Sequence, residues 1–298
     1  MDSSSVSPAR ALDHIVLPVG ALGVARNRLT ALGFTFAADA LHPFGTENAC
    51  VYFSEGGYLE PLGVADPEKC HDAIRQGNVF VARHEAFRAD RGEGLSAIIA
   101  ESRDADADHA RFEAEGRSAG KMLSFERPVQ AADGSEAKAG FKLAFARDEQ
   151  APDLLLFACE RLLPLAVDKE ALARHDNGAV RVSGVILTAE DPSIFEGYID
   201  AVLQTHASAT RGGRLEFAAG GTQIEVMTPD GFTRSYGLSV MSRTAGLEGA
   251  GLVFAVGDLG VTGALLAANG ISHEAREGRL VVPPSAGQGV TFIFEDKA

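Results

Sequence analysis

Cysteine is scarce in this 298-residue sequence: Cys50, Cys70 and Cys159 are the only three, and no two form a CxxC pair. So odd and sparse a set argues against a disulfide framework and fits a reducing, cytoplasmic setting. Cys50 stands in an apolar stretch and reads as a small buried hydrophobe. Cations are also short. Lys and Arg number 27 against 41 Asp and Glu, a net charge of -14, so phosphate backbones and anionic membrane surfaces are repelled. No nucleic-acid or membrane partner is expected. No apolar run approaches the length of a membrane span. The Ser-rich residues Met1 to Arg10 carry no hydrophobic core and read as a loose tail rather than a signal peptide. Neither Gly56-Gly57 nor Gly220-Gly221 belongs to a GxGxxG or P-loop pattern, so no nucleotide cofactor is expected. GxSxG, HExxH and EF-hand patterns are missing too.

What is present is ordinary globular composition, 46% hydrophobic and 23% charged, with length enough for one large domain or two ordinary ones. The chain is organised around Leu12-Asp13-His14-Ile15-Val16-Leu17-Pro18, an apolar strand with one histidine set in it. A helix over Leu22 to Leu32 follows, closing at Gly33. Two further strands, Asn48 to Phe53 and Tyr58 to Val64, flank a Glu55-Gly56-Gly57 hairpin signal. The last of them holds Glu60 between Leu59 and Pro61. The opening strand, with His14, and this last one, with Glu60, thus each set a polar residue against a core pattern.

The same order recurs. After a connector, helical around Pro67 to Gln76 and Ala82 to Ala89, Gly94 to Ala100 repeats the opening strand. Asp104 to Glu115 repeats the helix, and strands at Lys142 to Arg147 and Asp153 to Glu160 follow. A third copy begins at Val180 to Leu187. Its helix is announced by Glu190-Asp191-Pro192, with Ile194, Phe195, Tyr198, Ile199 and Val202 at helical spacing. Strands Arg214 to Ala218 and Thr222 to Met227 complete it. A fourth opens at Gly251 to Leu259, has its helix at Val261 to Ala268, and ends in strands Arg279 to Val282 and Val290 to Glu295. Because each helix leads into hairpin-linked strands, a parallel α/β sheet is disfavoured.

These residues resemble the glyoxalase-like, or vicinal-oxygen-chelate, superfamily: LDHIVLPV followed by a helix closing on LGF, and then GGYLEPLGV, match its βαβββ unit. The resemblance implies an α+β fold of tandem βαβββ modules paired into two half-barrel domains, as in the glyoxalase, bleomycin-resistance and extradiol-dioxygenase proteins. The first pair spans 11–163 (modules 11–64 and 94–163) and the second 178–298 (modules 178–230 and 247–298). It also implies metal ligands on the first and last strands of modules, where His14 and Glu60 fall. Alignment of the second module puts Ala97 at the histidine position and Phe157 at the glutamate position, with Cys159 and Glu160 as alternatives within a small shift. In the C-terminal pair Gly184, Gly251 and Ile293 replace the donors and only Glu225 repeats the Glu60 placement, so that pair reads as structural. His42, ahead of Gly45-Thr46-Glu47-Asn48, reads as a substrate contact or an auxiliary acid or base at the cavity mouth, and as a weaker ligand candidate. Tyr58, Asn48 and Phe157 read as substrate contacts.

Each residue also has a plainer reading. His14 and Glu60 could be a hydrogen-bonded dyad lining a pocket, His42 a surface turn residue, and Glu225 a solvent-facing edge residue. His71, His84, His109, His175, His206 and His273 sit in charged stretches and read as solvated. Two functions follow. One is an enzyme using a divalent metal (zinc, iron, manganese or nickel), with lyase, isomerase or dioxygenase chemistry on a small vicinal-oxygen metabolite. The other is a metal-free protein that sequesters a small molecule in a pocket lined by Val16, Tyr58, Leu62, Ile99 and Phe157. In both, the partner is a small molecule, and a homodimer is the assembly the resemblance suggests.

Overall fold

Alternation along the opening strand sets the architecture. In β1 (Leu12–Pro18), Ile15 and Leu17 pack into the main core, whereas Val16 joins a second cluster on the opposite face and His14 lines a cavity there. The computed structural model describes residues 9–130, 135–163, 169–209, 213–240 and 246–297, so most of the Ser-rich tail lies outside the described residues.

In the N-terminal half, β1 leads into α1 (Leu22–Ala31), then β2 (Ala40–Leu41), β3 (Thr46–Asn48), β4 (Val51–Tyr52) and β5 (Tyr58–Val64). Helix α1 supplies the crossover that lets β5 lie parallel to β1, with Val16 opposite Glu60. Two helices follow, α2 (Pro67–Arg75) and α3 (Val79–Arg91), each begun by a side-chain cap from Asp66 or Asn78. The second module comprises β6 (Ala97–Ser102), α4 (Ala105–Ala114), β7 (Leu123–Gln130), β8 (Glu136–Ala146) and β9 (Leu155–Leu163). All nine strands form one sheet, ordered β2-β3-β5-β1-β6-β9-β8-β7 with β4 also on β5. The two modules join through the antiparallel pair β1–β6, where Val16 faces Ala97.

A short helix α5 (Lys169–Leu172) leads to the second half. There β10 (Ala179–Thr188) is followed by a 3-10 turn at Pro192–Phe195, α6 (Glu196–Leu203), β11 (Ser208–Ala209), β12 (Leu215–Ala219), β13 (Thr222–Met227) and α7 (Pro229–Tyr236). The fourth module is β14 (Glu248–Val256), α8 (Leu259–Ala268), β15 (Glu274–Arg276), β16 (Arg279–Val282) and β17 (Thr291–Asp296). The order β11-β12-β13-β10-β14-β17-β16-β15 repeats that of the first sheet, again joined by a central antiparallel pair, β10–β14. Modules one and two therefore pair, as do three and four. Ile194, expected on the apolar side of its helix, falls in the 3-10 turn and is 43% exposed.

One apolar core is common to both sheets. The Phe34 ring, just beyond α1, lies 5.0 Å from that of Phe254 and 6.1 Å from those of Phe292 and Phe294. From α6, the buried Tyr198 hydroxyl accepts a hydrogen bond from Leu156 N (2.9 Å) and donates to Leu154 O (3.1 Å) in the other half. On the far face of the second sheet, Phe232 and Tyr236 of α7 pack among Ile186, Met227, Val253 and Ile293 and fill the concavity. That helix is hard to read from sequence, since Pro229, Asp230 and Gly231 are turn formers. Here Thr228 caps Gly231 N and the proline sits in the first turn, where its missing N–H costs nothing. No helix among the described residues is long and apolar enough to cross a membrane.

Candidate functional site

His14 and Glu60 meet on the concave face of the N-terminal sheet. The register of β1 on β5 pairs Glu60 with Val16, so His14, two residues earlier, is its diagonal neighbour on the same face. His14 Nε2 lies 3.4 Å from Glu60 Oε2. Behind the imidazole, Nδ1 is 2.5 Å from Asp13 Oδ1, and Asp13 Oδ2 accepts from Arg161 Nε (3.0 Å) and Nη2 (2.7 Å). Consecutive strand residues ordinarily point to opposite faces. A bulge in the β1–β6 pairing between Leu12 and His14 lets these two meet.

His42 comes to the same place by a tight turn. Its N–H donates to Thr46 O (2.8 Å), and Gly45 N donates to His42 O (3.2 Å). Gly45 adopts φ +97°, and a Cβ there would stand 2.5 Å from Asp66 O, so the turn requires glycine. The turn buries the ring, which stacks on Phe44 with centroids 5.0 Å apart and bonds Thr46 Oγ1 through Nδ1 (2.9 Å). Its Nε2 faces Glu60 Oε1 at 3.8 Å. Asn48 of β3 donates to the same Glu60 oxygen and lies 3.4 Å from His42 Nε2. The surface-turn reading of His42 is thereby corrected.

Charge states follow from these contacts. Burial by itself would raise Glu60, but His14, His42 and the Asn48 amide outweigh it and bring its pKa down to about 2. Burial would lower His14, yet Asp13 and Glu60 hold it above its ordinary value. Asp13 is likewise kept low, against burial, by His14 and Arg161. Burial pushes His42 down to about 4, with Arg127 and His14 adding to the effect and Glu60 opposing it. At neutral pH the site therefore holds an ionised Glu60, a neutral His42 and a His14 with raised basicity.

Aromatic rings enclose the cluster. Tyr58 stacks on His14 at 4.5 Å, Phe157 meets it edge-on at 6.1 Å, and Phe80 and Phe125 stand edge-on to His42. The cavity they bound is small, about 30 Å³. Asn48, Tyr58 and Phe157 thus line it with His14, His42 and Glu60, as does Cys159, whose thiol burial holds well above its ordinary value. Val16, Leu62 and Ala97 line a smaller neighbouring space instead. Ile99 belongs to the same apolar cluster without lining either, and Glu160 turns away to accept from Ala105 N (2.9 Å).

Several residues depart from the sequence reading, among them His175, which is half-buried and bonds Thr35 N (3.0 Å) and Tyr52 O (2.9 Å) rather than standing in solvent. Arg127 on β7 lines the cavity. Its strand is masked in sequence by Glu126, Arg127 and Pro128, which an edge strand tolerates, although Leu123, Phe125 and Val129 keep the alternation. His84, expected to be solvated, is 3% exposed on α3. Glu225 is not at an edge: β13 lies between β12 and β10, and its carboxylate is 3.1 Å from Arg214 Nη1. In that sheet Glu225 faces Ile186 as Glu60 faces Val16, but the place of His14 is taken by Gly184.

Two imidazoles and one carboxylate are donor types suited to a divalent cation, and hydrogen bonding of the far ring nitrogen to a carboxylate, as in His14–Asp13, is typical of ligating histidines. Among the described residues, no three His, Cys, Asp or Glu side chains are placed so as to hold a metal ion as they stand; Glu60 is instead hydrogen-bonded to its neighbours.

A family model described as a glyoxalase-like domain matches residues 12–203, more than half of the chain. No curated protein matches it. Among solved structures, a hypothetical protein from Staphylococcus aureus is similar at 12% identity and a TM-score of 0.66, over 96% of this chain and 99% of that one. A mutant of 4-hydroxymandelate synthase from Streptomyces coelicolor is similar at 14% identity and a TM-score of 0.62, over 98% and 95%. The Mn(II)-bound glyoxalase from Novosphingobium aromaticivorans is similar at 12% identity and a TM-score of 0.53, over 96% and 82%. At these identities the likeness extends to the fold alone.

Proposed function

The chain belongs to the glyoxalase-like domain family, and on that footing we propose that its N-terminal cavity is the active site of an enzyme acting on a small molecule with adjacent oxygens. The observation that carries this reading is the buried His14–Glu60–His42 cluster, with Asp13 behind His14. A divalent cation would take these three side chains as donors and, once bound, polarise a substrate oxygen as a Lewis acid. Glu60 and His42 are already deprotonated at neutral pH, as donors must be. His14 would have to give up its Nε2 proton, so metal affinity should fall with pH. Asp13 and Arg161 hold the His14 ring in place, Asn48 fixes the Glu60 carboxylate, and the aromatic walls exclude bulk water.

A second reading has its own support: Asn48 and His14 already satisfy Glu60, a closed polar set that needs no cation. Such a cavity would hold its ligand without turnover. Titration with manganese, iron, zinc and nickel, wild type beside Glu60→Gln, separates the two. Stoichiometric binding with proton release, lost in the variant, supports the enzyme. Absence of binding with all four metals rejects the metal-dependent reading and leaves ligand sequestration.

A further inference from the structure

Among the described residues that line the cavity, Arg127 is the charged group without a counterpart. Asp13 is paired with Arg161, and Glu60 with His14. Arg127 is 7% exposed, its Nε has no hydrogen-bond partner, and it forms no ion pair among the described residues. Its nearest compensation is the face of Phe141, with the guanidinium carbon 5.9 Å from the ring centroid. A buried unpaired cation is costly, and truly orphaned buried donors call for an explanation. Placed on the wall opposite no acid of its own, in a cavity shared with His14, His42 and Glu60, Arg127 is explained if the missing anion arrives with the ligand.

The geometry narrows the class. A single planar guanidinium matches a monoanionic carboxylate, which it can hold through two parallel hydrogen bonds. A phosphate dianion would leave a second charge facing phenylalanines. The free space of about 30 Å³ holds roughly two waters, less than even a short-chain acid fills and far less than an aromatic one, so only the smallest acids enter with a modest movement of the surrounding rings. We propose that the cavity takes a short-chain carboxylate bearing a second oxygen, a 2-hydroxy or 2-oxo acid of a few carbons, with its carboxylate on Arg127 and the second oxygen toward the His14–Glu60–His42 cluster. The assignment rests on the reading of this cavity as the ligand site, but it does not require that a metal be bound.

Calorimetry with lactate, pyruvate and lactamide tests it, with inorganic phosphate as a fourth probe. Wild type should bind lactate or pyruvate at least tenfold more tightly than the neutral lactamide. Arg127→Met and Arg127→Gln should each remove that preference, and Arg127→Lys should restore part of it. Free Arg127→Met should also melt a few degrees higher than wild type, since it no longer buries an unpaired charge. Equal binding of lactate and lactamide, no binding of either acid, tighter binding of phosphate, or a preference that survives in both Arg127 variants would each overturn the proposal. A carboxylate preference in a protein that takes up no metal would overturn the metal-dependent enzyme and leave this assignment standing.

Discussion

Asp13 and His14 are neighbours in sequence whose side chains nevertheless meet, with Oδ1 of one 2.5 Å from Nδ1 of the other. Arg161 grips the same carboxylate from β9, so an acid on the first strand of one module is tied to a base on the last strand of the next. The contact fixes both the orientation and the basicity of the imidazole.

Asp13→Asn keeps the shape of that contact and removes its charge. His14 should then titrate at lower pH, followed by its ring proton resonances in NMR. Arg161 should lose its counter-charge, with a stability loss of about 3–5 kcal/mol in urea unfolding. An unchanged His14 titration would deny Asp13 its role.

His84 offers a test in the opposite direction. Both ring nitrogens are buried without a partner among the described residues, and burial, with Arg88 nearby, takes its pKa down to about 3, Glu60 opposing and His42 adding weakly. The folded protein keeps this ring neutral while the unfolded chain takes up a proton below about pH 6.5. Its contribution to stability therefore falls as pH drops from about 6.5 towards 3. His84→Leu should stabilise by roughly 1–3 kcal/mol at pH 7 and by more at pH 5, measured by urea unfolding at both values.

Glu60 is shifted in the same downward direction, but for an acid that favours the charged form. Its pKa of about 2 lies below the ordinary carboxylate value, so its stabilising contribution is complete above about pH 4.5 and is lost as pH falls toward 2. Glu60→Gln should flatten the acid limb of the stability profile over that interval. An acid limb identical to wild type would mean that the carboxylate is not held as described.

Gly289 tests how the halves meet. Its φ is +77°, and a Cβ there would collide with the backbone of Gly94, standing 2.7 Å from its Cα. Backbone cannot swing aside, so Gly289→Ala should cost more than about 2 kcal/mol, seen as a fall in Tm. Gly116→Ala, at φ +69° just past the end of α4 with open space around it, should show only the conformational cost of about 1 kcal/mol.

The parts of the site that were legible in the sequence are those that break a local pattern. His14 and Glu60 interrupt apolar strands, and the strand–helix–strands repeat puts them on one face. The depth of His42 was not legible, because it depends on a turn closed by Gly45 and on the aromatic rings that cover it. Arg127 hid on an edge strand whose polar residues and proline look like a loop. His84 and Glu225 were misread for one reason: charged neighbours in sequence say nothing of what packs above a helix or beside an inner strand. The four modules were legible because periodicity survives such local exceptions, whereas α7 was not, because its first turn is made of turn formers.

The cluster in which Phe34 packs edge-on, tilted and stacked against Phe292, Phe254 and Phe294 ties the first half to the second. The second half has no imidazole at the place of His14, yet its phenylalanines are the floor beneath α1 and, through the shared core, beneath β1. Its shape is therefore constrained whatever its chemistry. Removing it would uncover the apolar side of the very strand that carries His14, so the two halves stand or fall together.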